Sequence, residues 1–160
     1  MPSTKAWHVA RWPPLAWLET GIKLLALGIG VGTAVAALAD PTFAFPTGLR
    51  LVQFIILIIL SLGLVAAIFD RLTDRELIAM GFVVLNNLGH WGMVLALATA
   101  SNLGRTVWLF AGLMLLGDLV KLWFIKTANF TVRDFPQRTL YILTGMYVVG
   151  YTLILLLELF

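Results

Sequence analysis

Long apolar runs alternate with short polar breaks along this chain. The runs extend from Trp17 to Ala39, from Leu51 to Phe69, from about Leu77 to Ala100, from about Thr106 to Ile125 and from about Thr139 to Leu157. Each is close to the roughly 20 residues that a helix needs to cross the hydrocarbon core of a bilayer. Lipid offers backbone amides no partner, so runs of this kind are helical. A single such run also fits the core of a soluble protein, but five in 160 residues do not. The pattern predicts an all-α integral membrane bundle of five spans, forming one polytopic domain over residues 1–160.

The polar breaks agree with this parsing. Asp40-Pro41-Thr42 and Phe45-Pro46-Thr47-Gly48 follow the first run, and Asp70 to Glu76 follows the second. In that second break Thr73 and Glu76 have capping-box spacing for the start of the third helix. Ser101-Asn102-Leu103-Gly104 reads as a tight turn, and Asn129 to Gln137, with Pro136, separates the last two runs. No break is long enough for a soluble domain, and no internal repeat is evident.

Composition narrows the chemistry. The charged fraction is 12% and the hydrophobic fraction 61%, against about 25% charged in an average soluble domain. With no cysteine, disulfides, thiolate metal sites and a cysteine nucleophile are excluded. The net charge of +3 does not point to nucleic acid. The cations stand at the ends of the apolar runs, where membrane lipids with anionic headgroups are the partner.

Their distribution orients the chain. Lys5, Arg11, Lys23, Arg71, Arg75, Lys126, Arg133 and Arg138 fall on the side of the N-terminus, and Arg50 and Arg105 on the other. The positive-inside rule predicts a cytoplasmic N-terminus and an external C-terminus, in a plasma or inner membrane. Trp17, Phe69 and Trp123 mark one boundary; Phe43, Phe45, Trp108 and Phe160 mark the other. The segment with Trp7 and Trp12 before Pro13-Pro14 is expected to lie along the inner surface. Ala37-Leu38-Ala39 after an apolar run resembles a signal-peptide cleavage site, but the preceding segment is long and contains Glu19, so the run is read as a retained span.

Ionisable and amide side chains inside the runs are the candidate chemistry, because they are expensive in lipid. Asn86, Asn87 and His90 share one face of the third span, and Asp118 and Lys121, three apart, are expected to pair on the fourth. At 1.5 Å per residue Asn86 lies about 13 Å, and Asp118 about 11 Å, from the cytoplasmic ends of their helices. The short turn after Ala100 predicts antiparallel neighbours, with Asp118 at the level of Asn86. Tyr147 and Tyr151, four apart on the fifth span, add hydroxyls at similar depth. These seven residues form a candidate ligand-binding or proton-relay cluster; the competing expectation is that they only join helices. Glu19 and Lys23 have the spacing of an ordinary helix ion pair. Gly28, Gly32 and Ala36 form a small-residue stripe expected to meet another helix, in the bundle or in a second copy.

Only His8 and His90 are present, at different depths, so a His-rich zinc site and a bis-His haem are not expected; a tetrapyrrole on His90 alone has no further support. No metal and no catalytic residue is assigned, and the cofactor is left open. The expected function is that of a non-enzymatic accessory or scaffold subunit, with partner membrane subunits or further copies of itself, or of a binder of a lipid-like ligand. The alternatives are a small proton-coupled transporter using Asp118 and His90, and a membrane enzyme acting on lipid or isoprenoid.

Overall fold

The computed structural model describes residues 13–39, 42–73, 77–99, 104–127 and 137–160, with side chains described outside 70–79. Among these residues are five helices: α1 (Pro14–Ala39), α2 (Gly48–Thr73), α3 (Leu77–Leu97), α4 (Gly104–Thr127) and α5 (Gln137–Leu157). All five are long and apolar enough to cross a membrane, so the chain is an all-α membrane bundle. Large apolar side chains such as Leu25, Val35, Ile59 and Leu119 point outward, as lipid-facing residues do. The segment before Pro13, the Thr73–Glu76 capping box and the breaks at 100–103 and 128–136 lie outside the described residues.

Most helices run past the apolar runs that announce them. The second span was bounded at Phe69, yet α2 continues to Thr73, and α1 starts at Pro14. Backbone hydrogen bonding does not end where apolar side chains end, and Pro at the first helical position lacks only an N–H that would have no partner there. At the other end α3 stops at Leu97, short of Ala100. Thr99 turns its hydroxyl onto the Ala96 carbonyl at 3.0 Å, and Ala44 of the α1–α2 connection donates its N–H to Ala98 at 3.0 Å. Gly48 opens α2 with φ of 60°, a conformation that L side chains rarely adopt.

The helices close into a ring in the order α1, α3, α2, α5, α4 and back to α1. Sequence neighbours α1 and α2 do not touch, because α3 lies between them. The turn after α3 suggested that α3 and α4 pair closely, but their contact is slight and α1 packs heavily on both. Four of the five ring contacts are antiparallel. The fifth, α1 with α3, is parallel: Leu27 and Gly30 meet Gly89, while Gly30 and Ala34 meet Gly92.

That parallel contact is a backbone contact. A Cβ on Gly30 would sit 2.6 Å from the Gly89 carbonyl oxygen, and one on Gly92 would collide with the Gly30 carbonyl. The apolar effect does not drive helices together in lipid, so close approach and the resulting dispersion and Cα–H···O contacts replace it. The stripe that buries is Ala26, Gly30, Thr33 and Ala37. The expected stripe of Gly28, Gly32 and Ala36 faces outward, with nothing within 4 Å of either glycine. The reason is angular: two residues rotate the helix surface by about 200°, so a four-residue repeat displaced by two lies on the far side. Within the bundle this corrects the expectation.

Two cores hold the ring. The larger joins all five helices around Leu57, Met93, Phe110, Met114, Tyr151 and Ile154. The smaller joins the start of α1, the end of α4 and the start of α5 through Ala16, Phe124, Ile125 and Tyr141. Gln137 fastens the same end, donating to the Ile125 carbonyl at 2.7 Å, one of the terminal carbonyls that a helix leaves without an internal partner. At the opposite end buried Gln53 of α2 donates to Glu158 at 2.8 Å and to the Ile154 carbonyl at 3.2 Å.

Candidate functional site

The polar side chains of the spans fall into two groups. The first is ionic. Lys23 of α1 places its Nζ 2.6 Å from Glu19 one turn earlier and 2.6 Å from Asp118 of α4. Asp118 is 4% exposed. A cation on its Oδ1 is Lys23, from another helix; Lys121, three residues on and expected to pair with it, is half-buried. The Lys23 stem passes over Gly117, where a Cβ would lie 3.0 Å from its Cγ. The missing side chain at 117 is what lets an α1 lysine lie across α4. Sequence spacing found the Glu19–Lys23 pair but not its third member. Residues 23 and 118 are 95 apart, and nothing local announces their contact.

The second group is hydrogen-bonded and lies at the centre. His90 of α3 is 0% exposed. Its Nδ1 is 2.8 Å from the Asn86 carbonyl and its Nε2 is 2.6 Å from the Tyr151 hydroxyl. A carbonyl only accepts, so Nδ1 carries the hydrogen, and Nε2 of the neutral ring accepts from Tyr151. The Phe110 edge closes the ring at 5.2 Å and 88°. Tyr147, with its ring 6.1 Å from that of Tyr151, donates its hydroxyl to the Leu60 carbonyl of α2 at 3.0 Å. The hydroxyl fits because position 63 is glycine; a Cβ there would come within 2.8 Å of it.

The expected cluster therefore divides. His90 and Tyr151 bond directly, Tyr147 adjoins them, and Asp118 is held by α1 instead. Among the described residues, three buried atoms find no hydrogen-bond partner: Asn86 Oδ1, Asn87 Oδ1 and Ser61 Oγ. Ser61, 0% exposed on α2, was not among the expected residues, since serine in an apolar helix usually bonds back to its own backbone.

The arrangement limits the chemistry. Both ring nitrogens of His90 are engaged within the chain, so a tetrapyrrole iron would have to displace Tyr151 or the Asn86 carbonyl. Among the described residues no three His, Asp or Glu side chains converge in a way that could hold a metal ion. What the unpartnered side chains offer is acceptor oxygen at mid-bundle depth. Comparison with known protein families, with curated proteins and with solved structures finds no match to this chain.

Proposed function

We propose that this chain is a non-enzymatic membrane bundle that binds a lipid-like molecule among its helices, with its N-terminus cytoplasmic, in a plasma or inner membrane. The observation that carries the reading is the set of buried acceptors without donors, Ser61, Asn86 and Asn87, in a bundle whose ionic groups and His90 are otherwise matched to one another. Leaving a polar group without a partner in an apolar medium is costly, about 1–3 kcal/mol by protein mutational measures. A bundle that only joined helices would gain from replacing these side chains with apolar ones.

The test is to reconstitute the full chain in nanodiscs of defined lipid after gentle purification and to weigh it by native mass spectrometry. A non-bulk amphiphile held at fixed stoichiometry through exchange of the surrounding lipid is the expected result. Recovery of bulk lipid alone would turn the assignment to an accessory or scaffold subunit, which the self-contained pairing of Glu19, Lys23 and Asp118 favours.

A further inference from the structure

We infer that the seam between α2 and α3 is a binding site for a neutral hydroxyl group, built from Ser61 Oγ and Asn87 Oδ1. The inference deepens the ligand-binding reading above and rests on it for the amphiphile but not for water.

Gly89 meets α1 and Phe110 of α4, and Asn87, two residues before it and so about 200° round the helix, is buried on the other side of α3. Ser61 follows Leu60, whose carbonyl takes the Tyr147 hydroxyl. Tyr147 lies beside Tyr151 with its ring tilted, and Tyr151 bonds His90. His90 returns to α3 at the Asn86 carbonyl, beside Asn87. This chain of contacts ties the Ser61 level of α2 to the Asn86–Asn87 level of α3, and α2 packs directly on α3. Ser61 is 0% and Asn87 8% exposed, so bulk water does not satisfy them.

The chemistry selects the head group. Both atoms accept hydrogen bonds, and the Asn87 amide oxygen can do nothing else. An ionised phosphate or carboxylate brings more acceptors and no hydrogen. An ammonium needs a carboxylate to offset its desolvation, and Asp118 and Glu19 already share Lys23. A neutral O–H supplies one donor, and its oxygen can accept from the Ser61 hydroxyl in return. Two sources carry that group: the head of a neutral lipid-like alcohol, or water.

The experiment uses the full chain in nanodiscs with a photoactivatable long-chain alcohol. Its competitors are 1-dodecanol, dodecane, dodecylamine and laurate. Crosslinks on α2 and α3 around Ser61 and Asn87, displaced by dodecanol and not by the other three, are the expected result. Labelling should fall about tenfold in Asn87→Leu, the worth of one buried hydrogen bond. Ser61→Ala, which barely changes volume, is the second variant and should lower labelling in the same direction if the leucine variant does not fold. No specific crosslink, but a water resonance in contact with the Asn87 side chain, keeps the hydroxyl site with water in it and removes the lipid-binding reading. Specific crosslinks confined to other helices, unaffected by either variant, keep the lipid-binding reading and overturn this site. Neither crosslinks nor water overturns both.

Discussion

Lys23 is the residue on which the ionic group turns, since it is shared by two carboxylates that have each other as neighbours. Removing one carboxylate leaves the lysine still paired, whereas removing the lysine leaves Glu19 and Asp118 facing without it. Asp118→Asn is therefore expected to leave the fold intact with a small change in stability, and Lys23→Met to cost about 3–5 kcal/mol, the range for a buried pair broken on one side. Unfolding of both variants in the same detergent checks the order. A similar asymmetry separates the two tyrosines. Tyr151→Phe strips His90 Nε2 of its only donor and is expected to cost about 1–3 kcal/mol. Tyr147→Phe frees a carbonyl that retains its place in the helix ladder, and should cost less than half as much. If the tyrosine order is reversed by thermal unfolding, the hydrogen-bond assignment at His90 is wrong. That charged and amide side chains interrupt the apolar runs was legible in the sequence, but the buried hydroxyl of Ser61 was not singled out there. Which side chains meet was not legible. Helical spacing reveals partners three or four apart, so it offered Lys121 to Asp118 and was silent about Lys23 on another helix.

At the scale of the helix, α1 shows how a repeat can be right in period and wrong in phase. Glycine stands at 28, 30 and 32, and small-residue spacing alone accepts either set. The choice is made by α3, which offers Gly89 and Gly92 to Gly30. Gly30→Ala is accordingly expected to destabilise the bundle by about 1–3 kcal/mol or to separate α1 from α3. Gly32→Ala, two residues away and facing outward, should be close to neutral or slightly stabilising, since alanine is the better helix former. Equal effects of the two on unfolding would place the α1–α3 contact elsewhere. The five spans themselves were legible because apolar length is a property of each run alone. Their ends were less so, because a helix continues past the hydrocarbon boundary into Asp70 to Thr73 on backbone hydrogen bonds that composition does not reveal.

For the whole molecule, the number of spans and the sign of the loops make one prediction. Five crossings predict termini on opposite faces, and the cation asymmetry predicts a cytoplasmic N-terminus. Reporter fusions at the third residue and at the last should report opposite sides; agreement between them would remove one of the spans. Helix order around the ring was not readable, since short connections suggest that sequence neighbours are spatial neighbours. Here the α1–α2 connection crosses the end of α3 instead, where Phe43 lies against Thr99.

The separation of α1 from α2 by α3 has a consequence for biosynthesis. A nascent chain commonly folds its first two spans against each other as soon as both have left the ribosome. This one has no such hairpin to make. When α2 emerges, α1 has no partner, because both of its neighbours, α3 and α4, are still to be translated. Its lysine and glutamate must enter the bilayer before the aspartate that completes their triad exists. Arrested chains of increasing length, carrying one cysteine on α1 and one on α3 beside their contact but away from Gly30, Gly89 and Gly92, should crosslink only once α3 is out. Those with cysteines at 23 and 118 should crosslink later still, when α4 has followed. Early crosslinking of α1 to α2 would show that a different ring forms first and is then rearranged. Until α3 arrives α1 has no helix to pack on, so the first helix translated waits on the third and fourth to be secured.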